Sequence, residues 1–213
     1  MILKDLPIGT IVTDKKTKIN GKPIEWFVTD HEKYQDGTVL FSKDIIYCKP
    51  FDDSKELGYK EYKEHSVCWE NSSIRNWLKT DFFYKYFSFQ LRCMSIPVEI
   101  SERDKNDTYT IGKIKDNIFL LSSSEIGYAD YYKRLQLFKN TNNKYLISEA
   151  CLGLKWAWWL RDGYIGSDGS LYHGMNYYYY GVRPACVISD YAPIKKKKNG
   201  DYKFDWLSLL KFD

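Results

Sequence analysis

Three features of the chain predict a single α+β domain over residues 1–213, with short strands and short helices joined by long irregular stretches. The first third carries runs of β-branched and aromatic residues between turn signals. The middle changes to helical spacing, and the last third combines tryptophan, glycine and tyrosine in a pattern that suits neither a long helix nor a long strand.

The early runs are Thr10-Ile-Val-Thr-Asp14, Glu25-Trp-Phe-Val-Thr29 and Thr38-Val-Leu-Phe-Ser42. Each has the composition of a strand, and Asn20-Gly21 and Asp36-Gly37 are turn signals beside them. Next, Ile74, Trp77 and Leu78 fall on one helical face behind a candidate cap at Ser72 or Ser73. Phe82, Phe83, Tyr86 and Phe87 continue with a second aromatic stripe, expected to pack into the core. Ile118-Phe-Leu-Leu121 reads as a short strand, and Ser122 with Glu125 forms a capping box for another short helix. Residues 102–114 and 139–144 are polar and read as loops.

In the last third, Trp156-Ala-Trp-Trp-Leu-Arg161 reads as a buried strand. Gly163, Gly166 and Gly169 predict a tightly turning backbone. Val182-Arg-Pro-Ala-Cys-Val-Ile188 reads as a strand, at a sheet edge or bulged, because Pro184 has no N–H to donate. A terminal hairpin turning at Asn199-Gly200 completes the chain.

Composition limits the function. Basic residues exceed acidic ones by only 32 to 28, too small a surplus to predict a nucleic-acid partner. Lys195, Lys196, Lys197 and Lys198 are the one cationic run, expected at a solvated hairpin tip. No stretch of about 18 apolar residues is present, so no membrane partner is expected, and the first residues lack signal-peptide character. Five widely spaced cysteines without a CxxC suit a reduced compartment. A cytoplasmic or virion-associated location follows as the expectation, with the cysteines as small buried apolar residues.

Of the three histidines, His31, His65 and His173, none sits in a metal-ligand pattern. There is no nucleophile-elbow or phosphate-loop motif. Catalytic residues, metal ligands and cofactors are therefore all expected to be none.

The motifs Trp158-Trp-Leu-Arg161 and Gly181-Val-Arg-Pro-Ala185 carry a resemblance. With Gly21-Lys-Pro-Ile-Glu-Trp26, Trp69-Glu-Asn-Ser-Ser-Ile-Arg-Asn-Trp-Leu78 and Phe119-Leu-Leu-Ser-Ser-Ser-Glu125 in the same order, the chain resembles a bacterial and phage domain group of unknown function. That group is placed with C-type-lectin-fold proteins. The resemblance implies a C-type-lectin-like fold, with short helices around a small twisted antiparallel sheet. It also implies a link to the variable proteins of diversity-generating retroelements, whose ligand-binding residues are scattered by adenine randomisation. The expected variable segment is about 158–185. The candidate ligand-binding residues in it are Tyr164, Ser167, Asp168, Tyr172, His173, Asn176, Tyr177, Tyr178, Tyr179 and Tyr180. The calcium-ligand motifs of sugar-binding lectins are missing, so no calcium site is expected.

The tyrosines support the same reading independently. Tyr offers large contact area with few rotatable bonds, and Gly, Ser and Asn supply adaptable hydrogen bonds, the mixture of antibody loops. If residues 177–180 are extended, alternate rings face opposite sides, and at least two meet solvent or find internal partners. Arg161 and Arg183, set among apolar residues, read as scaffold pins needing carboxylate or carbonyl partners. The expected function is a non-enzymatic ligand-binding protein with a protein or other macromolecular partner, of undefined oligomeric state. Two alternatives stay open: an oxidase of the sulfatase-modifying type, using cysteines such as Cys151 and Cys186, and a phage or structural assembly component.

Overall fold

The computed structural model describes residues 1–53, 69–103, 110–128, 133–139, 144–148, 154–172 and 178–210. Fourteen strands dominate these residues, in sheets of seven, five and two. This overturns the expected α+β, C-type-lectin-like arrangement around one small antiparallel sheet. The protein is mostly β, its sheets are mixed, and its helices are single turns or little more. The aromatic stripes have helical spacing but run too briefly to make helices a main layer.

Strands β1 (Ile11–Ile19), β2 (Lys22–Tyr34) and β3 (Gly37–Ser42) form an antiparallel meander. The β1–β2 turn takes positive φ at both Asn20 and Gly21, the geometry that Asn-Gly favours. Strand β4 (Tyr47–Lys49) leaves for another sheet. Strands β5 (Val98–Arg103) and β6 (Thr110–Asp116) pair as a hairpin, where residues 102–114 read as loop. The signal was there in Val98, Ile100 and Ile114, which alternate with polar neighbours. Strand β7 (Ile118–Phe119) is shorter than expected, although Leu120 and Leu121 are fully buried.

The remaining strands come from the last third: β8 (Trp158–Trp159), β9 (Tyr164–Ile165), β10 (Leu171–Tyr172), β11 (Tyr180–Val182), β12 (Ala185–Ser189), β13 (Ile194–Lys196) and β14 (Tyr202–Phe204). Sheet order is β13-β14-β1-β2-β3-β12-β7 in the large sheet and β10-β9-β8-β11-β4 in the second. Each has one parallel pair, β1 with β14 and β8 with β11.

Pro184 corrects another expectation. It marks neither an edge nor a bulge; the expected strand divides there, β11 in the second sheet and β12 in the first. Lacking an N–H, Pro184 leaves the ladder while its carbonyl accepts from Ser42 N at 2.9 Å. Beyond it β12 lies inside the large sheet, between β3 and β7.

Every residue of β3 is buried, because both faces of the large sheet are covered. On one face Trp26 meets Phe87 edge-on at 5.7 Å. On the other, Phe41 meets Trp158 at 5.6 Å and Phe138 at 6.0 Å. The helix Ser73–Trp77 is capped by Ser72, whose hydroxyl accepts from Arg75 N, and runs on through a π-helical turn over Leu78–Phe82. Asp116 ties this helix to β6, accepting from Trp69 Nε1 at 2.9 Å and from the Arg75 guanidinium at 2.9–3.0 Å. No helix among the described residues is long and apolar enough to cross a membrane.

Candidate functional site

The five-stranded sheet sorts the aromatic residues of the last third. Residues directly opposite in a ladder share a face. Trp158, opposite both Ile165 and Gly181, looks inward to Phe41. Trp159, opposite Tyr164, looks the other way, and Tyr172, opposite Tyr164, shares that side.

A ladder of rings results. Trp159 is fully buried, rests on Phe51 at 5.5 Å and donates from Nε1 to the Lys49 carbonyl at 2.8 Å. Tyr180 lies 4.8 Å from it and Tyr164 5.8 Å, and these two tyrosines are 4.5 Å apart. Tyr172 stacks on Tyr164 at 5.3 Å and Tyr178 on Tyr180 at 5.6 Å. These separations lie in the favourable range for aromatic pairs. Exposure rises outward: Tyr164 and Tyr180 are half-buried, Tyr172 is 43% and Tyr178 41% exposed, and Tyr179 reaches 65%.

The β9–β10 turn is built around glycine. Gly169 has φ +85°, which L-residues rarely adopt, and its carbonyl accepts the Tyr128 hydroxyl. A Cβ on Gly166 would come within 2.7 Å of the Tyr172 ring, so only glycine lets that ring lie down. Asp168 accepts from Ser170 N at 2.9 Å and from the Tyr172 hydroxyl at 3.2 Å. The Ser170 amide holds the Asp168 carboxyl below its ordinary value, and the bond to Asp168 raises the Tyr172 phenol.

Two buried arginines hold the sheet from behind. Arg161 pairs with Glu125 at 2.9 Å and donates to the Leu120 carbonyl. Burial alone would raise the Glu125 carboxyl. Arg161, Lys33 at 3.3 Å and the Ser122 amide outweigh it and bring the group down to about 2. Glu125 also closes the capping box with Ser122 that the sequence predicts. Arg183 has carbonyl partners instead, donating to Ser42, Lys43 and Tyr145. Its guanidinium lies over the Phe41 ring at 4.2 Å and over the Trp158 ring at 4.7 Å.

Of the ten expected ligand-binding residues, Tyr164, Tyr172, Tyr178 and Tyr180 join the ladder, with Tyr179 beside it. Ser167 and Asp168 are exposed at the neighbouring turn. His173, Asn176 and Tyr177 lie outside the described residues. Two exposed neighbours escaped sequence reading: Trp156, 44% exposed and donating to the Tyr179 carbonyl, and Leu154. Trp156 was expected inside a buried strand, but only Trp158–Trp159 is strand and Trp156 lies ahead of it.

Elsewhere, His31 has Thr38 Oγ1 and the Leu6 carbonyl each 2.8 Å from a ring nitrogen. Among the described residues no group of three or more His, Cys, Asp or Glu is placed to hold a metal ion. Cys186 is buried, Cys48 half-buried and Cys93 exposed, so Cys93 departs from the expected buried set. Cys68 and Cys151 lie outside the described residues.

Comparison with curated proteins and with solved structures returns no match. The family model for a domain of unknown function (DUF6273) matches residues 36–190, well over half of the chain, taking in all of the five-stranded sheet and β3, β7 and β12 of the large one, and the protein belongs to that family.

Proposed function

We propose that this protein is a non-enzymatic binding module that takes a protein partner on the aromatic face of its five-stranded sheet. The observation that carries this reading is the ladder itself. It rises from fully buried Trp159 through Tyr164 and Tyr180 to exposed Tyr172 and Tyr178. Stacked rings have already lost much of their rotamer freedom, so ordering them on binding costs little. Each ring pairs a large apolar contact area with a polar tip, the combination antibody loops use. Tyr179 and Trp156 widen the patch with large exposed area.

The same face supports a diversified surface, the variable protein of a diversity-generating retroelement. Within 158–185, framework residues Trp158, Trp159, Arg161 and Arg183 are buried, while Ser167, Asp168, Tyr172, Tyr178 and Tyr179 are exposed. Substitution at those exposed positions changes the surface without disturbing the core. A near-repeat of the coding segment for 158–185, differing at adenines and lying beside a reverse-transcriptase gene, is the expected genomic observation.

The binding test compares three purified proteins: the wild type, the triple variant Tyr172→Ser/Tyr178→Ser/Tyr179→Ser, and Tyr191→Ser, which alters an exposed ring elsewhere. The expected result is a partner retained by the wild type and Tyr191→Ser and lost by the triple variant, whose melting temperature is nearly unchanged. Retention by all three overturns the reading. An oligomer, measured by light scattering, that the triple variant alone dissociates assigns the face to self-assembly.

A further inference from the structure

A second site is lined by residues other than those of the aromatic ladder. An open cleft of about 710 Å³ is formed where the end of β3, the start of β2, the 144–148 segment and Arg183 meet. That volume suits a small molecule. Among the described residues four cations line it, Lys22, Lys43, Lys144 and Arg183, against the single carboxylate of Asp44. Lys43 is committed to Glu25 at 2.6 Å, leaving a surplus of two positive charges in the cleft.

Two further observations point to an occupant. Arg183 is 1% exposed, and among the described residues its direct contacts are carbonyl oxygens and ring faces, with no carboxylate. Burial pulls its guanidinium down to about 9, so it keeps its charge at neutral pH. A buried cation whose direct partners are all uncharged is costly; the Asp44 carboxylate offsets this only in part, and an incoming anion lowers the cost further. A guanidinium has five N–H donors, and four are used, which leaves one on Nη1. Secondly, Ser148 is 4% exposed, lines the cleft, and its hydroxyl has no hydrogen-bond partner. Buried hydroxyls in folded proteins are nearly always satisfied, so an unpartnered one at the cleft wall suits an acceptor arriving there. The cleft also has apolar wall: Phe27 meets Tyr145 at 4.9 Å, with Ile45 alongside.

We infer that this cleft binds a small phosphate monoester carrying an apolar or aromatic body, its phosphoryl oxygens set among Lys22, Lys144, Ser148 and Arg183 and its body against Phe27 and Tyr145. A phosphate monoester carries about two negative charges at neutral pH, matching the surplus, whereas a carboxylate carries one. The inference does not depend on the aromatic face, and the residues involved are different.

Phenyl phosphate is the probe, titrated into the whole protein and followed by calorimetry and amide NMR, with inorganic phosphate, benzoate and phenol as parallel arms. The expected result is saturable binding of phenyl phosphate, weaker binding of inorganic phosphate and benzoate, and none of phenol. Lys22→Gln and Lys144→Gln, both at exposed positions, should each weaken phenyl phosphate roughly tenfold, while Lys198→Gln at the hairpin tip leaves it unchanged. Ser148→Ala should weaken the probe while the melting temperature holds or rises, because an unsatisfied hydroxyl is removed. No saturation by phenyl phosphate overturns the inference, as does binding indifferent to both lysines. Benzoate binding as tightly as phenyl phosphate overturns the dianion assignment.

Discussion

Trp158 and Trp159, adjacent in the chain and both fully buried, face opposite sides of one two-residue strand. Trp158 meets Phe41 and the Arg183 guanidinium on the core side, while Trp159 supports Tyr180 on the other. This strand is where the large sheet and the aromatic face are joined. Substitutions on its two sides should therefore have different effects from substitutions on the exposed rings.

Trp159→Ala removes the ring under Tyr180 and leaves the Lys49 carbonyl without its donor. A loss of about 3–5 kcal/mol is expected, as for large core truncations. Tyr178→Ser and Tyr179→Ser, at exposed positions, should each stay within about 0.5 kcal/mol of the wild type. Urea unfolding of the three variants checks the contrast; equal losses would show that the exposed rings belong to the core.

Removing one member of the Arg161–Glu125 pair strands a buried charge. Arg161→Met or Glu125→Gln should each cost about 3–5 kcal/mol, and Arg161→Met/Glu125→Leu together should cost less than the two single changes added. The pair also sets an acid limit. Glu125 is held at about 2, below its ordinary 4.5. Its contribution is therefore complete above 4.5, where the unfolded carboxyl is ionised, and is lost as pH falls toward 2. Melting temperatures measured between pH 6 and pH 2 should fall more steeply below 4.5 in the wild type than in Glu125→Gln.

At Gly181, strand β11 comes close to the connection between β3 and β4. A Cβ there would lie 2.5 Å from Ile45 Cδ1. Gly181→Ala should cost about 1–3 kcal/mol through overpacking, and Ile45→Val in the same chain should recover part of it. Thermal unfolding of the single and double variants measures both; an undisturbed Gly181→Ala would show that β11 can move away from Ile45.

Thiol reactivity follows exposure. Burial raises the Cys186 thiol well above its ordinary value, while Cys93 is exposed. Alkylation of the native protein, read by mass spectrometry, should label Cys93 readily and Cys186 only after unfolding. Fast labelling of Cys186 in the folded state would revive the cysteine-oxidase alternative.

The features legible in the sequence are local ones. Asn20-Gly21 adopts two consecutive positive φ values, Ser72 caps its helix, and Ser122 with Glu125 closes its capping box. Each is decided within four residues by backbone sterics or by a side chain reaching its own helix end. The β5–β6 hairpin went unread because polar residues mask its alternation. The cationic cleft was illegible for another reason: Lys22, Lys43, Lys144 and Arg183 come from four separate segments, and their charges meet only through long-range pairing.

Alone, the sequence determined the turns, the caps, the strand-forming runs and the concentration of tyrosine near the C-terminal end. Tertiary structure decided the sheet order, which placed β12 between β3 and β7, and with it which rings are sealed and which meet water. The reason is geometric. Alternation along a strand says that Trp158 and Trp159 point apart, but only the neighbouring layers determine what covers each side.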